Sequence, residues 1–310
     1  MFSSRLILTL FLSILSMTAQ ATLEFDARYP LYTSDGTQYG FDQIHLALDK
    51  AFSFHQPVVI HIHGRGDEPL KSIEGKPFIG GATVPKIEKD YNVRVLLFNW
   101  DAHGFLFDRQ KPLSHIPQAV ESFKKVIENI KNYDLKDKKL ILHAHSMGSI
   151  VVQTYILQNG WITDGKPLFS NVIFTEPDAD NLNHSTWMDQ IAKVENVFVT
   201  INNDDGVLDR STDVRPPGVV ALGLFPTEHL SKFSNYIDFT KLGDKENKIT
   251  RAHEIFDKDE MKYQTHVCAV MQQIMTGQAP VLTDLDIDSL RSNYMKFKFE
   301  INKNDPCFKK

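Results

Sequence analysis

Short apolar runs separated by amphipathic stretches dominate the chain. Residues 58–63, 93–100, 140–144, 172–175 and 197–201 are each four to eight residues long, rich in Val, Ile, Leu and Phe, and lack strict polar alternation. Strands covered on both faces have this composition, because neither face meets water. Helical periods fall between them. Ile116, Val120, Phe123, Ile127 and Ile130 recur at the three- and four-residue spacing of one apolar helix face. Residues 149–157 continue as a helix straight from the run at 140–144. Asp257 and Glu260 have the spacing of a capping box, opening a helix that carries Met261, Cys268, Met271 and Ile274. Strand and helix in alternation predict right-handed βαβ crossovers, hence an α/β fold with a doubly wound, mostly parallel sheet flanked by helices. Residues 236–240 fit a last strand, and 23–39 have room for one or two leading ones. No repeat or domain-sized linker is present, and no large cap domain is evident between 160 and 196. The expectation is a single domain over 22–310.

The first 21 residues change what has to fold. Arg5 precedes an apolar run from Leu6 to Met17, and Ala19-Gln20-Ala21 closes the segment as an A-x-A cleavage site. This is the layout of a secretory signal peptide, and about a dozen apolar residues are too few to span a bilayer. Cleavage after Ala21 predicts a secreted or periplasmic mature protein of 289 residues, its formal net charge moved from −5 to −6 by the loss of Arg5. Lys and Arg are scattered, so nucleic acid is not an expected partner. In an exported chain, Cys268 and Cys307 are candidates for a disulfide tying the tail to the preceding helix, with two separate thiols as the alternative.

Candidate chemistry concentrates where the run at 140–144 ends. Ala144-His145-Ser146-Met147-Gly148 places a serine between a buried strand and an apolar helix, with small residues two positions to either side. A tight strand-to-helix turn needs those small residues, lifts the serine hydroxyl above the sheet, and leaves the Met147 N–H at a helix N-terminus where an oxyanion is stabilised. The stretch resembles the nucleophile elbow of the α/β-hydrolase superfamily, lipase- and esterase-like members in particular, with Ala144 where Gly is commonest. The similarity covers roughly residues 57–256. It is nearest to a little-characterised, largely bacterial hydrolase family marked by this elbow, a Pro-Asp-x-Asp stretch (Pro177 to Asp180), an Asp-x-x-Leu stretch and a final His-x-x-Phe.

That resemblance implies the remaining parts of a Ser-Asp-His triad. The His63-Gly64 pair after the first run matches the superfamily's oxyanion loop, making the backbone of Arg65 the second donor. The run at 197–201 ends in Asn202-Asn203-Asp204-Asp205-Gly206, a polar turn with two carboxylates at the right point in chain order. The Asp-x-x-Leu pattern falls on Asp205 and Leu208, which selects Asp205 over Asp204; Asp178 is a further alternative. Of the histidines that follow, His229, His253 and His266, His253 lies on a loop and matches the His-x-x-Phe ending at Phe256. Trp100, Phe105 and His145 are candidate substrate-binding residues, and the segment from Pro216 to Phe225 is a candidate pocket wall. The implied activity is hydrolysis of carboxylic esters through an acyl-enzyme on Ser146, without cofactor or metal. A small-molecule or lipid ester would be the substrate, with transient contact at a membrane surface and no obligate protein partner. Two other readings stay open: a metal-dependent hydrolase using His61 and His63 with Asp67 nearby, and a non-catalytic binding protein of the same fold.

Overall fold

The computed structural model describes residues 26–65, 83–103, 109–161, 166–227, 229–240, 253–256, 265–280, 285–287 and 293–297. The signal segment, Asp67, Phe105, Asp257, Glu260, Met261 and Cys307 lie outside the described residues. Strands β1 (Leu31–Thr33) and β2 (Gln38–Tyr39) lead into α1 (Ile44–Phe52), β3 (Val58–Ile62), α2 (Thr83–Tyr91), β4 (Arg94–Phe98) and α3 (Gln110–Lys131). There follow β5 (Leu140–His145), α4 (Gly148–Asn159), β6 (Asn171–Thr175), α5 (His184–Ala192), β7 (Val197–Ile201), α6 (Gly206–Thr212) and β8 (Asn235–Asp238). Helix α7 (Thr265–Met275) and strands β9 (Leu285–Ile287) and β10 (Tyr294–Phe297) come last.

These strands form one sheet in the order β2-β1-β4-β3-β5-β6-β7-β8-β10-β9. The pairings from β4 through to β10 are parallel, and antiparallel pairs close both edges. Every residue of β3, β5, β6 and β7 is buried, which explains why their sequences are apolar without alternation. Successive side chains still point to opposite faces. Ile60, Leu142 and Phe174 pack with α1, α3, α4 and α5 on one side. Val59, Ile141, Ile173 and Phe198 pack with α2 and α7 on the other. The sheet is thus the middle of three layers, and its parallel strands all end on one edge. Among the described residues, no helix is long and apolar enough to cross a membrane.

Of two expectations about the chain ends, the first is met and the second is amended. The 23–39 region supplies both leading strands. The strand at 236–240 is not the last: β8 covers Asn235–Asp238, and β10 and β9 extend the sheet beyond it. Cys268, buried on α7, is engaged in a disulfide.

Candidate active site

Ser146 joins β5 to α4 in a conformation few non-glycine residues adopt. Its φ is +50°, a backbone state costing ~1–3 kcal/mol that persists only where the surroundings enforce it. Here they do. The Ser146 N–H donates to the Thr175 carbonyl at 3.0 Å, and the Ser146 carbonyl accepts from the Ser149 N–H (3.1 Å), the Ser149 hydroxyl (2.6 Å) and the Asp178 N–H (3.0 Å). A Cβ on Gly148 would fall 2.8 Å from the His63 carbonyl oxygen and closer still to that of Ile62, so the elbow tolerates no larger residue there. The loop after β3 crosses the serine equally closely: a Cβ on Gly64 would lie 2.8 Å from the Ser146 Cβ. Met147 caps the N-terminus of α4, and Arg65 follows Gly64 as a half-buried turn residue.

The structure brings Ser146, His253 and Asp205 together although 107 residues separate the serine from the histidine. The His253 Nδ1 is 2.7 Å from the Asp205 Oδ2, and its Nε2 is 3.1 Å from the Ser146 Oγ. A carboxylate only accepts, so Nδ1 carries the proton and Nε2 is left to accept from the serine. The other Asp205 oxygen accepts the N–H groups of Val207 (2.9 Å) and Leu208 (3.0 Å), capping α6. The Asp-x-x-Leu pattern is therefore a helix cap whose free oxygen is aimed at the histidine. Burial pulls the His253 pKa down, but the Asp205 charge and hydrogen bond outweigh it and hold the value above 6.5.

The alternatives occupy other places. Asp204 is half-buried and its N–H donates to the Asn202 side chain. The Asp178 carboxylate is taken by Ser211, Arg215 and Arg109 rather than by a histidine. His229 is exposed, and His266 lies on α7.

The candidate substrate-binding residues need correction. Trp100 is 1 % exposed and its indole N–H donates to the His63 carbonyl at 2.9 Å. A buried indole requires an acceptor, and this one ties Trp100 to the residue that follows β3. His145 is likewise interior. Its Nδ1 lies 3.3 Å from the Thr175 Oγ1, and its ring packs 4.9 Å from both the His253 and Phe256 rings. It packs against the His253 ring, with 5 % of its surface exposed. Of the pocket segment, Leu224 and the exposed Phe225 line a cavity of about 470 Å³ with Ile201, Asn203 and Tyr294, beyond the strand that carries the Asp205 turn.

Sequence reasoning missed the polar layer beside Ser146 and His253. His61 Nδ1 is 3.1 Å from His143 Nδ1, and His143 Nε2 is 2.8 Å from the Thr175 Oγ1 that also meets His145. Burial lowers all three histidine pKa values, that of His143 to about 3, so these rings are neutral. Phe256, the last residue of His-x-x-Phe, covers His143 and His145 edge-on. The available signal was histidine at buried positions of otherwise apolar strands. His61 and His63 turn to different neighbours, His143 and Trp100 respectively. Among the described residues, no group of three or more His, Cys, Asp or Glu is arranged to hold a metal.

Solved structures to which the chain is similar include three at low identity. An α/β serine hydrolase without lid from Xanthomonas campestris is 15% identical over 60% of this chain and 72% of its own, with a TM-score of 0.34. Carboxyl esterase 2 from the mycorrhizal fungus Tuber melanosporum is 10% identical over 71% and 77%, with a TM-score of 0.39. Est1E from Butyrivibrio proteoclasticus is 11% identical over 60% and 79%, with a TM-score of 0.32. No curated protein matches the chain in sequence. A family model does match, over residues 48–255, the span that holds the elbow, the Asp205 cap and His253, and the chain therefore belongs to the family described as alpha/beta hydrolase of unknown function (DUF900).

Proposed function

We propose that this α/β hydrolase is an exported serine esterase that cleaves carboxylic esters through an acyl-enzyme on Ser146. The observation that carries the reading is the continuous hydrogen-bonded line from the Asp205 carboxylate through His253 to the Ser146 hydroxyl. His253 takes the serine proton as Oγ attacks the acyl carbonyl, and Asp205 stabilises the imidazolium that results. The N–H of Met147, at the start of α4, and that of Arg65 hold the oxyanion, a pair in which each donor is worth about 100- to 1000-fold in turnover. His253 returns its proton to the leaving alcohol. It then activates the water that hydrolyses the acyl-enzyme.

The signal-peptide layout of residues 1–21 supports export. The proposed substrates are small-molecule or lipid esters, reached without cofactor and with at most transient contact at a membrane surface. A fluorophosphonate probe tests the core of the proposal. The wild-type protein is expected to be labelled covalently and Ser146→Ala not at all. Absence of wild-type labelling, or equal labelling of the variant, would sink it. A series of p-nitrophenyl esters beside a phospholipid then defines the acyl preference.

A further inference from the structure

Past the C-terminal end of β6, the Pro-Asp-x-Asp stretch enters a buried ionic cluster that the reaction as described does not use. The Asp178 carboxylate is 3 % exposed. Its Oδ1 accepts from the Ser211 hydroxyl (2.5 Å) and Arg215 Nη2 (2.8 Å), and its Oδ2 lies 3.4 Å from Arg109 Nε. Arg215 in turn donates from Nη1 to the Ser211 Oγ at 2.6 Å and from Nε to the Asp180 Oδ1 at 3.0 Å. Its side chain has no exposed surface, and all of these groups have partners within the cluster.

The position of these partners matters more than their number. Ser211 belongs to the last turn of α6 and Arg215 follows shortly after, while the N-cap of the same helix is Asp205. Asp178 in turn is held to the nucleophile, because its backbone N–H donates to the Ser146 carbonyl. The seven-residue helix is a strut of about 10 Å, given the ~1.5 Å rise per residue. One end carries the acid that orients His253. The other end clamps the residue that holds the strained serine. An error in the placement of α6 would therefore move the Asp205–His253 pair against Ser146.

Resting on the serine-esterase reading above, we infer that Arg215 and Asp178 are positioning residues that keep the acid–base pair in register with the nucleophile. A purely stabilising pair predicts something different. A buried ion pair replaced on both sides by uncharged groups of similar size is often no less stable than the original. If the pair only stabilises, such a replacement restores the enzyme; if it sets geometry, the protein stays folded and remains slow.

The experiment compares wild type, Asp178→Asn, Arg215→Met and the double variant. The readouts are kcat and KM on a p-nitrophenyl ester, the fluorophosphonate labelling rate at Ser146, and the thermal midpoint. In the double variant, kcat and labelling rate are expected to fall about 10- to 100-fold, the scale of a misplacement of about 1 Å. KM is expected to stay within about threefold, since the groups touch no substrate. A folded double variant with kcat within about twofold of wild type, or with its loss confined to KM, overturns the inference. If the charged-pair variants do not fold, Ser211→Ala removes two hydrogen bonds, one to Asp178 and one from Arg215, and is expected to lower kcat about threefold; an unchanged kcat overturns the inference by that route. An unlabelled wild type defeats the esterase reading and this inference together, whereas a labelled wild type with unimpaired variants removes the strut alone.

Discussion

Asp178 lies past the C-terminal end of β6 and Glu195 just before the N-terminal end of β7, so these two buried carboxylates mark opposite edges of the sheet. They are accommodated by different means. Burial raises the Asp178 pKa, but the guanidinium groups of Arg215 and Arg109 reverse that and leave it below the ordinary carboxylate value. Glu195 has neutral donors: the backbone N–H of Leu168 (2.8 Å) and Phe169 (3.1 Å) and the indole N–H of Trp161 (3.2 Å). These pull its pKa down less than burial raises it, and the value is pushed up to about 7. The difference teaches where this fold uses charge. At the edge that holds Ser146, the Asp178 charge is paired with guanidinium groups from two separate segments. At the other edge a single carboxyl ties the chain before β6 to the approach to β7.

Substitutions can break or sharpen that contrast. The largest effect belongs to the proposed triad: if the esterase reading holds, His253→Ala is expected to reduce ester turnover by about 1000-fold or more with little change in thermal midpoint. A His266→Ala variant is expected to keep most activity, and the reverse outcome in a paired assay would mean that the base was misassigned. Since the His253 pKa is held above 6.5, turnover should fall as pH drops through a midpoint above that value. Asp205→Asn should shift this midpoint down, and a pH–rate profile checks the shift.

Next in size is Asp178→Ala, which leaves Arg215 buried without its main partner and is expected to cost about 3–5 kcal/mol in denaturant unfolding. With a depressed native pKa, Asp178 contributes stability that is present above its unfolded value near pH 3.8 and is lost as pH falls through the lower native value. Glu195 has the opposite sign. Its raised pKa favours the folded state most below pH 4.5, and that contribution is lost as pH rises through about 7. Glu195→Gln is expected to flatten this part of the stability–pH curve, with a change of about 1 kcal/mol at neutral pH. An unaltered slope between pH 4.5 and 7 would show that another group controls it. The smallest effect is on chemistry: Glu195→Gln should leave the fluorophosphonate labelling rate within about twofold of wild type, because it lies at the far edge from Ser146.

Local pattern carried the framework of the molecule. The five apolar runs all became strands, and the order of elbow, acid turn and late histidine was visible because each lies where a strand or loop ends. Other features depend on contacts between distant residues. Nothing near Arg215 in sequence announces that it will reach back 37 positions to Asp178. Trp100 looked like a pocket aromatic because loop aromatics commonly line sites, but its indole N–H found the His63 carbonyl and turned inward. His145 ends a buried strand, and its ring packs against those of His253 and Phe256 in the interior. The insertion of β10 beside β8, ahead of β9, is a matter of topology that periodicity does not encode.

The outer strands of the sheet have a consequence for solubility. The central strands β3, β5, β6 and β7 have five or six residues, whereas β2 has two and β9 three. An outermost strand offers unpaired amide and carbonyl groups to any extended chain that approaches, and its length sets how firmly such a chain is held. Among the described residues, borders this brief give another copy little to dock against side by side. The apolar strands that would aggregate most readily are kept in the interior, flanked by partners on both sides.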